Sequence, residues 1–489
     1  MIHSMTPSKD SKYDGMRLTV FQLRPVGMSG YILDGSNGIL MNVLSHFSDL
    51  GVKTTIHHPA TADSNSSFYI RPEILVAPVA PMLSTSIRGS TWADPASHVA
   101  AIETIWESAA NSDIFYIHGA NYPYADIDLP CPTVHSAHDF VYHEAVTGVL
   151  NFRRDRLVAV SEYTASCIRH LLSRIRHLPD DCLHTVPNGF DAGAYSYSQS
   201  YRVRDKLGLS KELSYILYPH RSDLDKGIDA ALELMAVLRG ILTASHYSKL
   251  RLLVPSWEAP EYDLSHDRRP TLQPEAEKYA VDLGVLDKVH VHQWLRSAEM
   301  PAYYSIGDVT LCLGSVPEAF GNVHIESLLT GTPVVMTRVG AQRTSIPDGL
   351  VRKVDPNQVV HAAHHVAEIL LESERATDEI RSYISDRYSM ANMLEGYKSA
   401  ILDCDVRPSV LNSHAAKRDM GASLCIPPWA AALESGYYHD YAGYCTDESF
   451  LKYLEPIQRG ITVSAFIRDY DVDFSEIRRW QNAGLVSLI

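Results

Sequence analysis

The sequence predicts an α/β protein of two Rossmann-like domains facing a central cleft, with a small, mostly helical C-terminal appendage. Three observations carry this reading. Short runs of strand formers alternate with helical periods from residue 16 to 385, a rhythm that demands right-handed crossovers and parallel sheets. It pauses at the polar, Tyr- and Ser-rich stretch 194–203 and then restarts, so it describes two units. Beyond residue 404, Pro408, Pro427, Pro428 and Pro456 break it. The expected divisions are a polar leader at 1–15, domains at 16–200 and 201–385, a crossover helix at 386–404 and the appendage at 405–489.

Taken in order, Met16–Leu23 reads as a strand and Gly27–Gly38 as a loop. Ile39–Leu50 reads as a helix, because its apolar residues recur three and four apart and Gly51 closes it. Strands follow at 52–58, 113–119, 131–139 and 156–161, the last entering a helix at 162–178. The second unit opens at 215, with a helix at 228–238 and strands within 251–255, 288–295, 308–315 and 332–338. A further helix is expected near 321–330, and the appendage offers two short helical periods at 449–459 and 475–484. Two such domains place a ligand between the carboxyl ends of their sheets.

With 489 residues, 45% apolar, 21% charged and a net charge of −15, the chain is a globular protein large enough to fold without disulfides or metals. The acidic balance argues against a whole-protein role on nucleic acid. Seven widely spaced cysteines without a C-x-x-C pair suggest buried thiols, neither a disulfide framework nor a zinc site. The polar N-terminus lacks a signal peptide's apolar region, and no apolar run approaches the roughly 20 residues of a membrane span, so a cytoplasmic location is expected.

The segment 317–335, PEAFGNVHIESLLTGTPVV, carries the chemistry. Glu318 lies in a loop after a strand, Gly321 allows close approach of the backbone, and the following helix presents free N–H groups and its positive end to the cleft as a phosphate seat. Glu326 falls about five residues into that helix, so the two carboxylates flank the seat and can hold either side of a nucleotide sugar. In HRSDLDKG (220–227), Arg221 and Lys226 lie five apart around a turn. Two fixed cations there suit a diphosphate whose charge grows as it leaves.

These residues resemble the retaining GT-B glycosyltransferases of family 4, the glycosyl transferases group 1. EAFGNVHIE (318–326) fits the E-x-F-G-x-x-x-x-E signature, and HRSDLDKG stands where the family usually has G-R…K-G. VPNGFD (186–191) and VSEYT (160–164) agree in order and spacing, and the resemblance covers roughly residues 16 to 404. It implies a donor held mainly by the C-terminal half and an acceptor by the N-terminal half. Arg221 and Lys226 would bind the diphosphate, Glu326 the ribose hydroxyls and Glu318 the sugar hydroxyls. Phe320, Gly321 and Asn322 would complete the donor site, with base contacts from the backbone near Gln293 to Leu295. His138 resembles the family's N-domain histidine beside sugar and acceptor, and Gly35 and Gly38 the glycines next to the phosphates. The chain departs from the family in placing His220 where a glycine is usual, and in a longer N-terminal glycine loop.

The resemblance implies transfer with retention, the leaving phosphate accepting the acceptor's proton. No metal or other cofactor is expected, because Arg221, Lys226 and the helix dipole supply the positive charge. The D-x-D triplets at Asp126/Asp128, Asp223/Asp225, Asp403/Asp405 and Asp469/Asp471/Asp473 read as turn and cap residues, and His290 and His292 as structural. A soluble small-molecule hydroxyl acceptor is expected, since the first helix has no Lys or Arg. The alternative is a lipid acceptor at a membrane surface, for which Arg169, Arg174 and Arg176 supply a basic helix. Other readings are an epimerase acting on the nucleotide sugar itself and a non-catalytic nucleotide-sugar-binding or regulatory protein that contacts a partner through its tail. The tail has the outline of a helix-turn-helix with Arg468, Arg478 and Arg479 exposed, but its many acids favour a small appendage that packs on the body or on a second subunit.

Overall fold

The computed structural model describes residues 12–26, 35–60, 64–80, 84–85, 91–92, 95–119, 129–152, 155–175, 178–197, 201–222, 224–257, 270–405 and 420–489. The leader up to residue 11, the loop 27–34, Asp126, Asp128, Arg176 and Asp223 lie outside the described residues.

The first domain runs β1 (Arg17–Phe21), α1 (Gly35–Asp49), β2 (Lys53–His57), β3 (Phe68–Arg71), β4 (Ile74–Val76), the two-residue pair β5 (Ser84–Thr85) and β6 (Thr91–Trp92), α2 (Pro95–Ala110), β7 (Ile114–His118), β8 (Thr133–Ala137), α3 (His143–Asn151), β9 (Arg156–Ala159), α4 (Glu162–Ser173) and β10 (Leu183–Thr185). Eight strands form one sheet in the order β10-β9-β8-β7-β1-β2-β4-β3. All pairs are parallel except the edge pair β3–β4, and Leu18 lies opposite Thr54 on one side and Ile114 on the other. Every residue of β7 and β8 is buried, as expected of parallel strands covered on both faces. Helix α1 buries Ile39, Leu40, Val43, Leu44 and Phe47 against the sheet.

The second domain contains α5 (Tyr201–Lys206), β11 (Ser214–Leu217), α6 (Ile228–Ile241), α7 (Ala244–Lys249), β12 (Leu250–Pro255), α8 (Pro274–Asp282), β13 (Val289–His292), α9 (Met300–Tyr304), β14 (Val309–Cys312), α10 (Asn322–Leu329), β15 (Val334–Thr337), α11 (Gln342–Ser345), β16 (Arg352–Val354), α12 (Val359–Glu372) and α13 (Asp378–Arg387). Its all-parallel sheet has the order β13-β12-β11-β14-β15-β16, which reverses direction between β11 and β14. Such a reversal opens a crevice at the strand ends. The next helix, α14 (Met390–Ile401), leaves this domain and inserts Met393, Tyr397, Ala400 and Ile401 into the core of the first, beside Leu18, Leu44 and Val186.

The appendage comprises β17 (Ser423–Cys425), β18 (Ala430–Leu433), β19 (Gly436–His439), β20 (Gly443–Tyr444), α15 (Glu448–Leu451), α16 (Leu454–Gln458), β21 (Ile461–Thr462), α17 (Val463–Tyr470), α18 (Phe474–Asn482) and β22 (Ser487–Leu488). The expected helices are joined by two small antiparallel sheets, β21-β17-β22 and β18-β19-β20. It has its own core around Tyr437, Phe450, Phe466, Ile477 and Trp480. It also touches both domains: Arg174 of the first bonds Asn482 Oδ1 at 2.8 Å, and Asp355 of the second accepts the Ser435 N–H at 2.9 Å.

Candidate active site

The strand ends of the two sheets border one cleft of about 470 Å³. Of the residues singled out from sequence, His138, Arg221, Lys226, Glu318, Gly35, Phe320, Gly321, Asn322, Glu326 and Leu295 all line it. Gly38 does not: it lies inside the first turn of α1, and Gly35, Ser36 and Asn37 form the cleft-facing end. The helix begins four residues before the expected Ile39 because its first turn faces the cleft and has no apolar face to show in the sequence.

On the second domain's side, β14 ends at Cys312 and the chain loops past Glu318 to α10. Gly321, at the N-terminus of α10, has φ 86°, a left-handed conformation that favours glycine. Lys226 Nζ lies 2.7 Å from Glu318 Oε1. Burial alone would raise the Glu318 carboxyl, but the charge and the hydrogen bond of Lys226 outweigh it and hold the carboxyl below its usual value. Burial opposes the Lys226 charge as well, yet Glu318 keeps that ammonium's pKa raised. Glu326 accepts hydrogen bonds from Tyr195 (2.9 Å, to Oε1) and Tyr304 (2.7 Å, to Oε2). Its pKa is raised, because burial outweighs the two tyrosines. Burial also pushes His220 down to about 4, so its ring is neutral at pH 7.

On the first domain's side, α1 and α10 meet end to end. A Cβ added at Gly35 would collide with the Asn322 side-chain amide, whose Oδ1 in turn accepts from Asn188 Nδ2 at 2.9 Å. Two positive helix ends therefore converge on one point of the cleft. His138, just past β8, lies 4.1 Å from the His118 ring, centroid to centroid, and its Nε2 is 3.4 Å from the Tyr397 hydroxyl of α14. Burial first, then His118 and His135, keep His138 well below the ordinary histidine value, so it is a neutral imidazole. His118 joins the Ser36 hydroxyl at 2.9 Å to the Tyr116 hydroxyl at 2.8 Å.

Tyr195, Tyr304 and His118 were not anticipated from sequence, and Asn188 figured only within the VPNGFD motif. Tyr195 falls in the stretch expected as a linker, and its bond to Glu326 spans 131 residues, a pairing no local pattern encodes. Among the described residues no group of three or more His, Cys, Asp or Glu side chains is arranged to hold a metal ion. The aspartates Asp473 and Asp403 serve respectively as the α18 cap and as a partner of Lys12 and Tyr13. His290 bonds the Leu207 carbonyl and His292 the Gln293 carbonyl. All seven cysteines are free thiols, five of them buried. No helix among the described residues is long and apolar enough to cross a membrane. In the tail Arg468 pairs with Asp469, and Arg479 with Asp447 and Glu476, so these arginines are charge-balanced locally.

Two facing Rossmann-like domains with a cleft at their strand ends define the GT-B class. Solved structures of similar fold agree. The chain aligns with Anabaena HepE in complex with UDP and glucose (TM-score 0.59, 15% identity, 78% of this chain and 98% of that one). It also aligns with WaaG, a glycosyltransferase involved in lipopolysaccharide biosynthesis (TM-score 0.57, 16% identity, 79% and 99%). Residues 200–385, which span the second domain, match the family described as glycosyl transferases group 1. Among curated relatives it is 29% identical over 203 residues to a D-inositol 3-phosphate glycosyltransferase of Xylanimonas cellulosilytica, covering 40% of this chain and 45% of the relative. It is 23% identical over 225 residues to the lipopolysaccharide 1,2-N-acetylglucosaminetransferase of Salmonella typhimurium, covering 45% and 56%. The matches thus span about half the length of these relatives.

Proposed function

We propose that the protein is a retaining glycosyltransferase that moves a sugar from a nucleotide-diphosphate sugar to a hydroxyl of a soluble small-molecule acceptor, in the cytoplasm and without a metal ion or other cofactor. The observation that carries this is the Lys226–Glu318 pair beside the N-terminus of α10, inside a cleft shared by both domains. Arg221, Lys226 and the helix end offer positive charge to a diphosphate, and this stabilisation grows as the leaving group gains charge. Glu318 and Glu326 are acceptors for hydroxyl groups of the sugar and the ribose. The neutral His138 can exchange hydrogen bonds with an uncharged hydroxyl without burying a new charge.

Retention without a carboxylate base is supported by how the cleft's carboxylates are engaged. Glu318 is paired with Lys226, Glu326 with two tyrosines, and Asp139 Oδ1 accepts the backbone N–H groups of Val141 and Tyr142. On this reading the leaving phosphate takes the acceptor's proton. A soluble acceptor is supported by the relatives named for D-inositol 3-phosphate, and by the appendage's use of Arg174, part of the basic helix a membrane reading requires. The Salmonella relative, named for lipopolysaccharide, favours a lipid-linked acceptor as the second reading.

A thermal-shift panel of UDP, GDP, ADP and dTDP with their sugars, with and without magnesium, tests the donor site, because a ligand that binds only the folded state raises the melting temperature. The expected result is a selective, magnesium-independent shift that Arg221→Ala abolishes. D-inositol 3-phosphate is the first acceptor to try, and binding to anionic vesicles checks the second reading. No shift with any nucleotide would refute the transferase assignment.

A further inference from the structure

One turn of the C-terminal appendage packs behind the cleft, against residues that neighbour its lining. Asp440, whose side chain is 0% exposed, accepts from Tyr163 Oη of the first domain at 2.9 Å and pairs with Arg343 Nη2 of the second at 2.5 Å. Arg343 also donates to the appendage carbonyl of Pro428 at 3.1 Å. The residue before Arg343, Gln342, lines the cleft, and the Ala341 N–H holds the Glu318 carbonyl at 2.8 Å. Tyr441, the next residue along the turn, donates its hydroxyl to the Phe140 carbonyl at 2.6 Å. Phe140 lies in the loop between β8 and α3, where His138, Asp139, Val141 and Tyr142 face the cleft. The same loop is organised from within by Asp139, which accepts the Val141 and Tyr142 amides at 3.3 Å each.

We propose that Asp440 and Tyr441 are positioning residues of the cleft: Asp440 pins the turn to both domains beside the Glu318 loop, and Tyr441 holds the 139–142 loop at its working distance from that wall. This rests on the glycosyltransferase reading, in which 139–142 borders the acceptor and Glu318 the donor. The appendage is then a brace behind the two walls of the site. Nothing local in the tail sequence announces this, because the contacts join residues 277 and 301 positions apart.

The test uses the full chain carrying Tyr441→Phe, which removes one part-buried hydroxyl and keeps the ring, beside Tyr444→Phe as a control. Tyr444 also bonds the body, donating to the Pro356 carbonyl at 3.0 Å, but away from the 139–142 loop. Hydrogen exchange at the Val141 and Tyr142 amides should accelerate about fivefold or more in Tyr441→Phe and stay unchanged in the control. In transfer assays with D-inositol 3-phosphate, acceptor KM should rise about fivefold while donor KM and the UDP dissociation constant stay within about twofold. Unchanged exchange at the two amides overturns the proposal, as does a parallel rise of donor and acceptor KM. A wild-type protein that binds no nucleotide would sink the transferase reading instead, while the exchange result would still decide whether Tyr441 tethers the loop.

Discussion

Lys226 and Glu318 hold each other at 2.7 Å, so on the proposed reading a diphosphate would share the lysine with the carboxylate. Lys226→Ala should therefore act twice, removing charge from the leaving group and letting the Glu318 carboxyl rise toward neutrality. A fall in kcat of about 100-fold, with donor KM changed much less, is the expected steady-state result. Glu326→Ala should instead weaken donor binding by roughly 10-fold, read by calorimetry with the nucleotide alone. Tyr304→Phe should reproduce part of that loss, because it removes the donor on Oε2. At this scale the acids and cations were legible, since motif spacing places them. The tyrosines were not, because Tyr195 and Tyr304 reach Glu326 only after the linker and α9 have packed around it.

Among the elements, the strands were the most readable. Those of a doubly covered parallel sheet are apolar almost throughout, and β7, β9, β12 and β14 stand out for that reason. The end-to-end approach of α1 and α10 was not readable, since it depends on how one domain faces the other. It predicts the outcome of Gly35→Ala. Alanine in a first helical turn is usually neutral or stabilising by about 0.5–1 kcal/mol. Here its Cβ meets the Asn322 amide, so that side chain must turn aside and give up its bond from Asn188 where the two helix ends meet. Donor KM should rise by roughly 10-fold with little loss in melting temperature, a combination that simple misfolding would not produce. Wild-type kinetics would show that the two helix ends do not act together.

For the molecule as a whole, buried histidines couple stability to acidity. Burial pushes His292 and His220 down to about 4, and His324 down to about 3, helped by Lys353. In the unfolded chain each titrates near 6.5, so between these values the unfolded state binds more protons and stability rises with pH. The contribution is complete above about pH 6.5 and drains as the pH falls toward about 4. For the 5%-exposed His292 it amounts to roughly 3 kcal/mol, and His292→Gln should flatten the pH dependence of urea midpoints measured between about pH 5 and 7.5. A variant with the wild-type slope would remove His292 from the account. The doubly wound architecture was legible from the alternation of strands and helices. The appendage's engagement with both domains was not, because it rests on long-range contacts of Tyr163, Arg174, Arg343 and Asp440 that no local pattern encodes.

The return of α14 to the first domain also orders the molecule in time. Synthesis proceeds from the N-terminus, yet the hydrophobic groove beside Leu18, Leu44 and Val186 is filled by Met393, Tyr397, Ala400 and Ile401. The domain translated first is thus the last to be completed, and a ribosome must deliver about 400 residues before it can close. Until then the nascent first domain displays an apolar channel that chaperones would recognise. A fragment ending at residue 200 should aggregate or fold loosely, and adding a peptide of residues 388–404 in trans should restore a cooperative melt.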